Sequence, residues 1–353
     1  MSFYDIKANS REKVNAIFFL CSLVLFFMSW LRWERGTDWN NYLLFFNYVN
    51  AAKETGLEWG FIKLTELSKL IHDDYTLFML LQAIIIYWCM TNSLRKYSNY
   101  PLISLLLWFS FSFAGLFFVR QTIAIALVFY SFRYLMERRI FFFCVFVILA
   151  SLFHRSALII LPFYYISTLE LSRKQLLIIL ILSFGASSLA KGLFSTLSFI
   201  GNAAISSRLD DYLDQSQLSS FGSKFSPFET MVRGSIYRVF YLLIFIAYFY
   251  QDILKNRVLL ILFNLYFWGA VIFILLVPIS TAMIRLSSYF DIAHIILVPL
   301  LMAQFKGNKK GELILIFLVL ISFVRFIGVV TGYEELYIPY KWIFNKELPV
   351  KTF

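Results

Sequence analysis

Long apolar runs alternate with short polar connections from one end of the chain to the other. A helix needs about 20 apolar residues to cross the hydrocarbon core of a bilayer, and fewer when it ends inside protein. The pattern therefore predicts an all-α fold, a polytopic integral membrane bundle of about 11 transmembrane helices. The predicted spans are residues 14–31, 75–93, 101–119, 121–136, 140–153, 156–169, 175–191, 235–250, 258–278, 286–304 and 312–330.

Basic residues in the connections predict the orientation of these spans, because Lys and Arg in short loops stay on the cytoplasmic side. With the N-terminus inside, every inner connection carries at least two positive charges, as Arg138 and Arg139 do. The short outer turns carry one arginine each. We therefore expect the N-terminus inside and the C-terminus outside.

The predicted organisation is a single membrane domain over residues 1–353 with three outer pieces. The first outer loop, 32–74, contains amphipathic stretches that predict helices. A large periplasmic loop spans 192–234, and an outer C-terminal tail spans 331–353. Together these pieces are candidates for a compact lid that faces outward.

Composition excludes the soluble classes of protein. Hydrophobic residues make up 60% of the chain, charged residues 15%, and the mean hydropathy is +0.73, whereas soluble domains carry roughly a quarter charged residues. The net charge of +11 is spread among membrane segments, which indicates topology signals and argues against nucleic-acid binding. The sequence has no glycine-rich phosphate loop, HExxH, CxxC or Asp-x-Asp motif, so we expect no metal and no cofactor. A glycosyltransferase without such a nucleotide-sugar site would use a lipid-linked donor.

Arginines gather at the predicted outer boundary, where the charge rule for topology does not explain them. One arginine at a span end can extend its charge to the interface, but several that converge indicate a shared anionic site. Arginine suits phosphate because its planar fork donates paired hydrogen bonds and stays charged. The ligand is then phosphate-like or a carboxylate, with a polyprenyl diphosphate or a transported anionic solute as the candidates. These residues are Arg35, Arg120, Arg155, Arg233, Arg285 and Arg325.

Histidine supplies the candidate proton acceptor. His154 stands beside Arg155, between the two short spans 140–153 and 156–169, which favours a broken pair of helices at this point. Histidine exchanges protons near neutral pH, and the neighbouring arginine favours its neutral, accepting form. A second pair, Asp291 and His294, shares one helix face and is either a structural pair or a proton relay.

The stretch RGTDWNNY, residues 35 to 42, is the other dense polar patch. Gly36 permits a tight turn, and Thr37 and Asp38 can cap a helix that begins near Trp39. The alternative to a capped interfacial helix is a sugar site, in which Asp38, Asn40 and Tyr42 bind hydroxyl groups beside Trp39.

Five stretches, in order along the chain, resemble the EpsG family, which are Wzy-type polymerases of bacterial O-antigen and exopolysaccharide. These stretches are RGTDWNNY, VRQTIAIAL, LFHRSALIILP, RLSSYF and YIPYKWIF. The resemblance implies a many-helix inner-membrane bundle with its active site facing the periplasm. It also implies the joining of polyprenyl-diphosphate-linked oligosaccharide units into a polymer. Expected partners are these lipid-linked substrates, membrane lipid, a chain-length regulator and a flippase of the same pathway.

The resemblance also suggests roles for individual residues. Arg120 and His154 match the two most recognisable polar positions of the family, and Arg285 with Tyr289 matches its R-x-x-x-Y element. By this analogy the arginines, including Arg35 and Arg325, hold the donor diphosphate, and His154, or Asp38 as second choice, takes the proton from the acceptor hydroxyl. For Gln121 and Arg155, two interpretations stay open, a supporting contact to the substrate and a plain helix end.

Three other activities fit the sequence less well. An O-antigen ligase would share the outward arginines and the histidine. A membrane acyltransferase would need a cytosolic donor site, whereas the inner loops are short and basic. A transporter or flippase would show inverted repeats and polar groups at mid-membrane, whereas the polar groups here gather at the outer edge.

Overall fold

The computed structural model describes residues 11–36, 39–54, 56–117, 120–200, 227–280, 283–303 and 309–345. Within these ranges the chain is helical apart from turns, short connections and one isolated antiparallel bridge between Arg32 and Trp342. Five helices there are long and apolar enough to cross a membrane, and four shorter apolar helices accompany them. An all-α membrane protein is thus confirmed, and the count of eleven spans and their orientation stay predictions.

In chain order the α-helices are α1 (Arg11–Trp30), α2 (Trp39–Asn47), α3 (Val49–Glu54), α4 (Trp59–Ile71), α5 (Tyr75–Tyr97), α6 (Pro101–Ser112), α7 (Arg120–Met136), α8 (Ile140–Ser151), α9 (Phe163–Ile166), α10 (Arg173–Ile200), α11 (Pro227–Ile244), α12 (Tyr250–Lys255), α13 (Arg257–Leu276), α14 (Ser288–Asp291), α15 (His294–Met302), α16 (Lys309–Gly332) and α17 (Glu334–Tyr337). The 3₁₀ helices are Phe113–Phe117, Arg155–Ile160, Met283–Ser287 and Ile343–Asn345, and a π-helix spans Phe245–Phe249. Two compact units result, one built from residues 1–158 and 298–353 and the other from 159–297.

The first unit packs its membrane helices around α5 and α6. Helix α7 packs against α5 and α8, while α1 and α16 pack against α6. Helix α5 begins where the sequence predicts because the Asp74 carboxylate accepts the amide N–H of Thr76 at 2.6 Å, which caps the helix. Pro101 occupies the first turn of α6, where its missing N–H costs nothing. Helix α1 exposes Phe19 and its apolar neighbours, as suits a lipid-facing helix.

Helices α7 and α8 are joined by the three residues 137–139 and therefore run antiparallel. The end of α8 therefore lies on the same side of the hairpin as the start of α7. Helix α8 ends at Ser151, and the next 3₁₀ helix begins at Arg155. The helical structure is therefore interrupted around His154, as the short spans predict. Pro162 interrupts the sixth predicted span, because proline donates no hydrogen bond and clashes with the carbonyl four residues before it. That span is a 3₁₀ helix followed by the one-turn α9.

The second unit is centred on α13, whose side chains are mostly buried. Asn256 caps this helix, since its side-chain oxygen accepts the amide N–H groups of Val258 and Leu259 at 2.9 and 3.3 Å. Helices α10, α11 and α12 pack against α13, as do α14 and the 3₁₀ helix before it. The tenth predicted span is thereby divided into that 3₁₀ helix, α14 and α15.

Candidate active site

Arg120, the first residue of α7, binds two side chains of the first predicted outer loop. Its Nη1 donates to Glu58 Oε2 at 2.6 Å, and its Nε donates to the Tyr42 hydroxyl at 3.0 Å. The guanidinium also lies over the Tyr42 ring, 5.4 Å from the centroid. The side chains of Arg120 and Glu58 are only 25% and 12% exposed, so this ion pair is shielded from solvent. Arg120, which the sequence predicts to bind an anion, is therefore already paired with the Glu58 carboxylate.

Helices α2 and α4 place the two partners of Arg120. Tyr42 projects from α2, is buried, and packs against Phe61 of α4 with ring centroids 5.5 Å apart. Glu58 directly precedes α4. Its main-chain oxygen accepts the amide N–H of Phe61 at 3.1 Å, while its side chain makes no capping bond. Sequence reasoning missed Glu58, because an acidic residue at the start of an amphipathic helix is an ordinary feature of a solvated loop.

A short segment, residues 56–60, connects this ion pair to the break in the chain after α8. The amide N–H of Gly60 donates to the Leu152 carbonyl at 2.7 Å, and Arg155 Nη2 donates to the Gly56 carbonyl at 3.5 Å. We call residues 56–60 the linking segment. Because Glu58 belongs to it, the structure brings Arg120 and Arg155 to one stretch of backbone, at the ends of neighbouring helices.

His154 is half-buried, and Leu152 and Arg155, which bind the linking segment, flank it along the chain. Its amide N–H donates to the Ala150 carbonyl at 3.0 Å, and its Nδ1 hydrogen-bonds with the Ser156 hydroxyl. The ring is therefore oriented through Nδ1, which fixes where Nε2 points. Gln121 follows Arg120 on α7 and is buried.

The C-terminal tail closes over residues 31–36. The amide N–H of Trp33 donates to the Lys341 carbonyl at 2.9 Å, and that of Ile343 donates to the Leu31 carbonyl at 2.9 Å. A largely buried ion pair joins Lys341 Nζ to Glu34 Oε2 at 2.9 Å. The two pieces predicted as the first outer loop and the outer tail therefore contact each other, and their role as a lid stays a prediction. Most of the third piece, 201–226, lies outside the described residues.

Arg35 is held by this tail. Its Nε donates to the Pro339 carbonyl at 2.6 Å, and burial lowers the pKa of its guanidinium. Arg32, which sequence reasoning passed over, is more deeply enclosed. Its Nη1 donates to the Arg35 carbonyl at 2.7 Å, and its guanidinium lies 5.2 Å from the Trp39 ring centroid, with burial lowering its pKa to about 10.

The remaining candidates of the first unit are less informative. Trp39 is buried at the start of α2, where the sequence predicts a helix to begin, and packs edge-on against Tyr75 at 5.0 Å. Arg325 is half-buried on α16, next to Phe326, which stacks on Phe109. Asp38, with the proposed helix cap, lies outside the described residues.

In the second unit, Arg285 is half-buried in the 3₁₀ helix before α14, and Tyr289 is fully buried in α14. Hydrogen bonds from Arg238 to Asp291 and Ser287, which we call the clamp, hold the 3₁₀ helix and α14 in place. Arg238 of α11 donates from Nε to Asp291 Oδ1 at 3.0 Å and from Nη2 to Asp291 Oδ2, and its Nη2 also donates to the Ser287 hydroxyl at 3.2 Å. Sequence reasoning missed Arg238, although a charge inside the predicted span 235–250 was the available signal.

Asp291 and His294 are linked through the main chain. His294 Nδ1 lies 2.6 Å from the Asp291 carbonyl oxygen, while the Asp291 carboxylate binds Arg238. This geometry favours the structural interpretation of the pair over a relay. Within the described ranges, no three His, Cys, Asp or Glu side chains lie close enough together to hold a metal ion.

Comparison with known proteins bears on the whole chain. No curated protein and no solved structure matches it. The model of the EpsG family matches residues 15–342, which include the linking segment, the second unit and most of the first. The chain therefore belongs to the EpsG family, whose members are Wzy-type polymerases and glycosyltransferases.

Proposed function

We propose that this protein polymerises a surface polysaccharide from lipid-linked repeat units. It transfers the growing glycan from a polyprenyl diphosphate onto the non-reducing end of an incoming lipid-linked unit and forms a glycosidic bond. Membership of the EpsG family and the apolar helices support a membrane glycosyl polymerase. The proposed location is the bacterial cytoplasmic membrane, with the site facing the periplasm. A chain-length regulator and a flippase of the same pathway are the proposed partners.

One observation carries the assignment of the site. Arg120 and the His154–Arg155 pair both adjoin the linking segment, at the ends of two neighbouring apolar helices. Glycosyl transfer from a diphosphate needs a cation for the leaving group and a proton acceptor for the attacking hydroxyl. Arg120 and His154 are side chains of these two kinds, and we propose that the two lipid-linked substrates meet beside them.

In the proposed reaction, the acceptor hydroxyl oxygen attacks the anomeric carbon of the donor glycan. The bond between that carbon and the diphosphate oxygen breaks, and its electron pair leaves with the diphosphate. Arg120 stabilises this charge, with Arg35 and Arg325 as further proposed contacts, while Arg285, in the second unit, stays a candidate from the sequence. His154 takes the hydroxyl proton, with Asp38 as the second candidate.

The lipid-linked sugars are proposed to bind beside Trp39 and Tyr42, whose rings are buried in this structure. Gln121 would support Arg120, which it follows directly, and Tyr289 would support Arg285, which lies four residues before it. Arg155 would supply additional positive charge beside His154. Since aromatic rings pack against sugar faces while arginines bind phosphate, the two groups of residues would hold the two halves of a lipid-linked sugar.

Deletion of the gene tests the function. We expect the deletion strain to lose the ladder of polysaccharide lengths on a gel and to accumulate carriers capped with single repeat units. Complementation with Arg120→Ala or His154→Ala is expected to leave the ladder absent. Arg95→Ala, which removes an exposed arginine at the end of α5, is the matched control and is expected to restore it.

The result also separates the alternatives. A normal ladder in the deletion strain refutes the polymerase function. Polymer that remains attached to polyprenyl diphosphate indicates a ligase instead. Full complementation by both Arg120→Ala and His154→Ala would keep the function and reject the proposed site.

A further inference from the structure

Glu58 is the anion that Arg120 binds in this structure, at 2.6 Å and largely shielded from solvent. The proposed donor diphosphate needs the same guanidinium. A carboxylate and a phosphate at hydrogen-bond distance from one cation repel each other. The two anions therefore compete for Arg120, and Glu58 must leave before a diphosphate takes its place.

Glu58 is the N-cap residue of α4, and the bond that its side chain makes is unusual for this position. Residues at this position commonly use their side chains to accept an amide N–H of the first turn. Glu58 makes no such bond, and its carboxylate reaches Arg120, 62 residues away in the sequence. It also lies at the N-terminal end of α4, where the helix dipole favours negative charge. An anion is thus stabilised here by two independent sources of positive potential.

Two glycines flank Glu58 in the linking segment. Gly60 anchors the start of α4 to Leu152 at 2.7 Å. On the other side of Glu58, Gly56 has a φ of +72° and open space around the position of a Cβ atom. A rotation about the bonds of the Glu58 side chain would leave this main-chain contact of the linking segment in place.

We propose that Glu58 is a specificity-determining residue, which occupies the anion subsite of Arg120 until the diphosphate of the lipid-linked donor displaces it. The nature of this ligand rests on the proposed function. Anionic phospholipids surround the protein, and each carries a single charge on its phosphodiester. Such a headgroup has no advantage over a carboxylate of equal charge that is already in place. A diphosphate carries more charge and more acceptor oxygens, so it competes successfully. Glu58 thereby excludes ordinary membrane lipids from the site.

Calorimetric titration of the purified full chain in neutral detergent tests this proposal. The probes are farnesyl diphosphate and dihexanoyl phosphatidylglycerol. We expect the unaltered protein to bind the diphosphate and to bind the phosphatidylglycerol weakly. Glu58→Gln keeps the size of the side chain and an oxygen that accepts from Arg120, but removes the competing charge. It is expected to bind phosphatidylglycerol about tenfold more tightly, equivalent to about 1.4 kcal/mol.

Three further variants make the interpretation specific. Glu58→Asp keeps the charge and is expected to retain the discrimination against phosphatidylglycerol. Glu66→Gln, which neutralises a carboxylate of α4 that pairs with Lys53 and Lys63, is the matched control and is expected to change neither affinity. Adding Arg120→Ala to Glu58→Gln is expected to abolish the gain. Thermal unfolding of each variant verifies that it is folded.

An unchanged or weaker affinity of folded Glu58→Gln for phosphatidylglycerol would overturn the proposal. So would an equal gain in Glu58→Asp, because charge would then not be the cause, or a gain that survives Arg120→Ala. These titrations do not depend on polymerisation. A failure of the proposed function would instead appear as a normal polysaccharide ladder in the deletion strain, so the two failures are distinguishable.

Discussion

Replacement of Gly60 by alanine is expected to disrupt the site through a single added methyl group. A Cβ atom at this position would lie 2.7 Å from the Leu152 carbonyl oxygen and 3.1 Å from the Leu152 Cβ, whereas ordinary contact begins at 3.4 Å. The first turn of α4 must therefore move by about 0.7 Å, and the neighbour that resists is main chain. Overpacking of this kind costs about 1–3 kcal/mol.

The same displacement separates functional groups, since Gly60 follows Glu58 by two residues and Leu152 precedes His154 by two. A misplacement of about 1 Å lowers the rate of a reaction that depends on aligned groups by about 100-fold. We therefore expect Gly60→Ala to complement the deletion strain poorly, with a short or absent ladder. The purified variant is expected to unfold at a lower temperature in detergent.

Gly328→Ala provides the matched control. Gly328 lies in α16, and no atom approaches the position of its Cβ within 4 Å. Alanine is favoured over glycine inside a helix by about 1 kcal/mol, so this variant is expected to unfold at the same or a slightly higher temperature and to restore a full ladder. A normal ladder and an unchanged unfolding temperature for Gly60→Ala would refute the reasoning, because they would show that α4 does not approach Leu152 this closely.

Two further predictions concern buried ion pairs. Arg238→Met leaves the Asp291 carboxylate without its cation, which is expected to cost about 3–5 kcal/mol of unfolding free energy, and the double variant Arg238→Met/Asp291→Leu is expected to recover part of the lost thermal stability. A double variant less stable than the single one would contradict this account. Lys341→Ala is expected to lower the free energy of unfolding by about 1–3 kcal/mol, because it leaves Glu34 buried without its cation, and to expose the tail to limited proteolysis. Lys309→Ala, at an exposed position on α16, is expected to change neither the free energy of unfolding nor the protease resistance. Equal protease resistance of the two lysine variants would exclude a role for the Lys341–Glu34 pair in holding the tail.

The positions of many helices were predictable because apolar runs and capping residues are local signals. Helix α5 begins at Tyr75 after its cap, and α13 occupies nearly the same residues as the ninth predicted span. The break at His154 was also visible, since a polar pair between two short spans is costly in a continuous helix. The division of residues 283–302 into three short helices was not predictable, because their apolar residues suit one long helix equally well.

The site was predictable only in part, because pairing over long distances leaves little trace in one sequence. The arrangement of the spans predicted that Arg120 and Arg155 lie at neighbouring helix ends, as the structure has them. Their connection through Glu58 and Gly56 did not, since nothing near those residues marks them as different from the rest of a polar loop. The clamp between Arg238 and Asp291, 53 residues apart, was missed for the same reason.

The pairing of the tail with residues 31–36 has a consequence for the parity of the membrane crossings. The two segments exchange main-chain hydrogen bonds, so they lie on the same side of the bilayer. The number of crossings between the end of α1 and the start of the tail must then be even. If α1 itself crosses, the total number of crossings is odd. The eleven spans predicted from the apolar runs place ten crossings between these two segments, and their number stays a prediction.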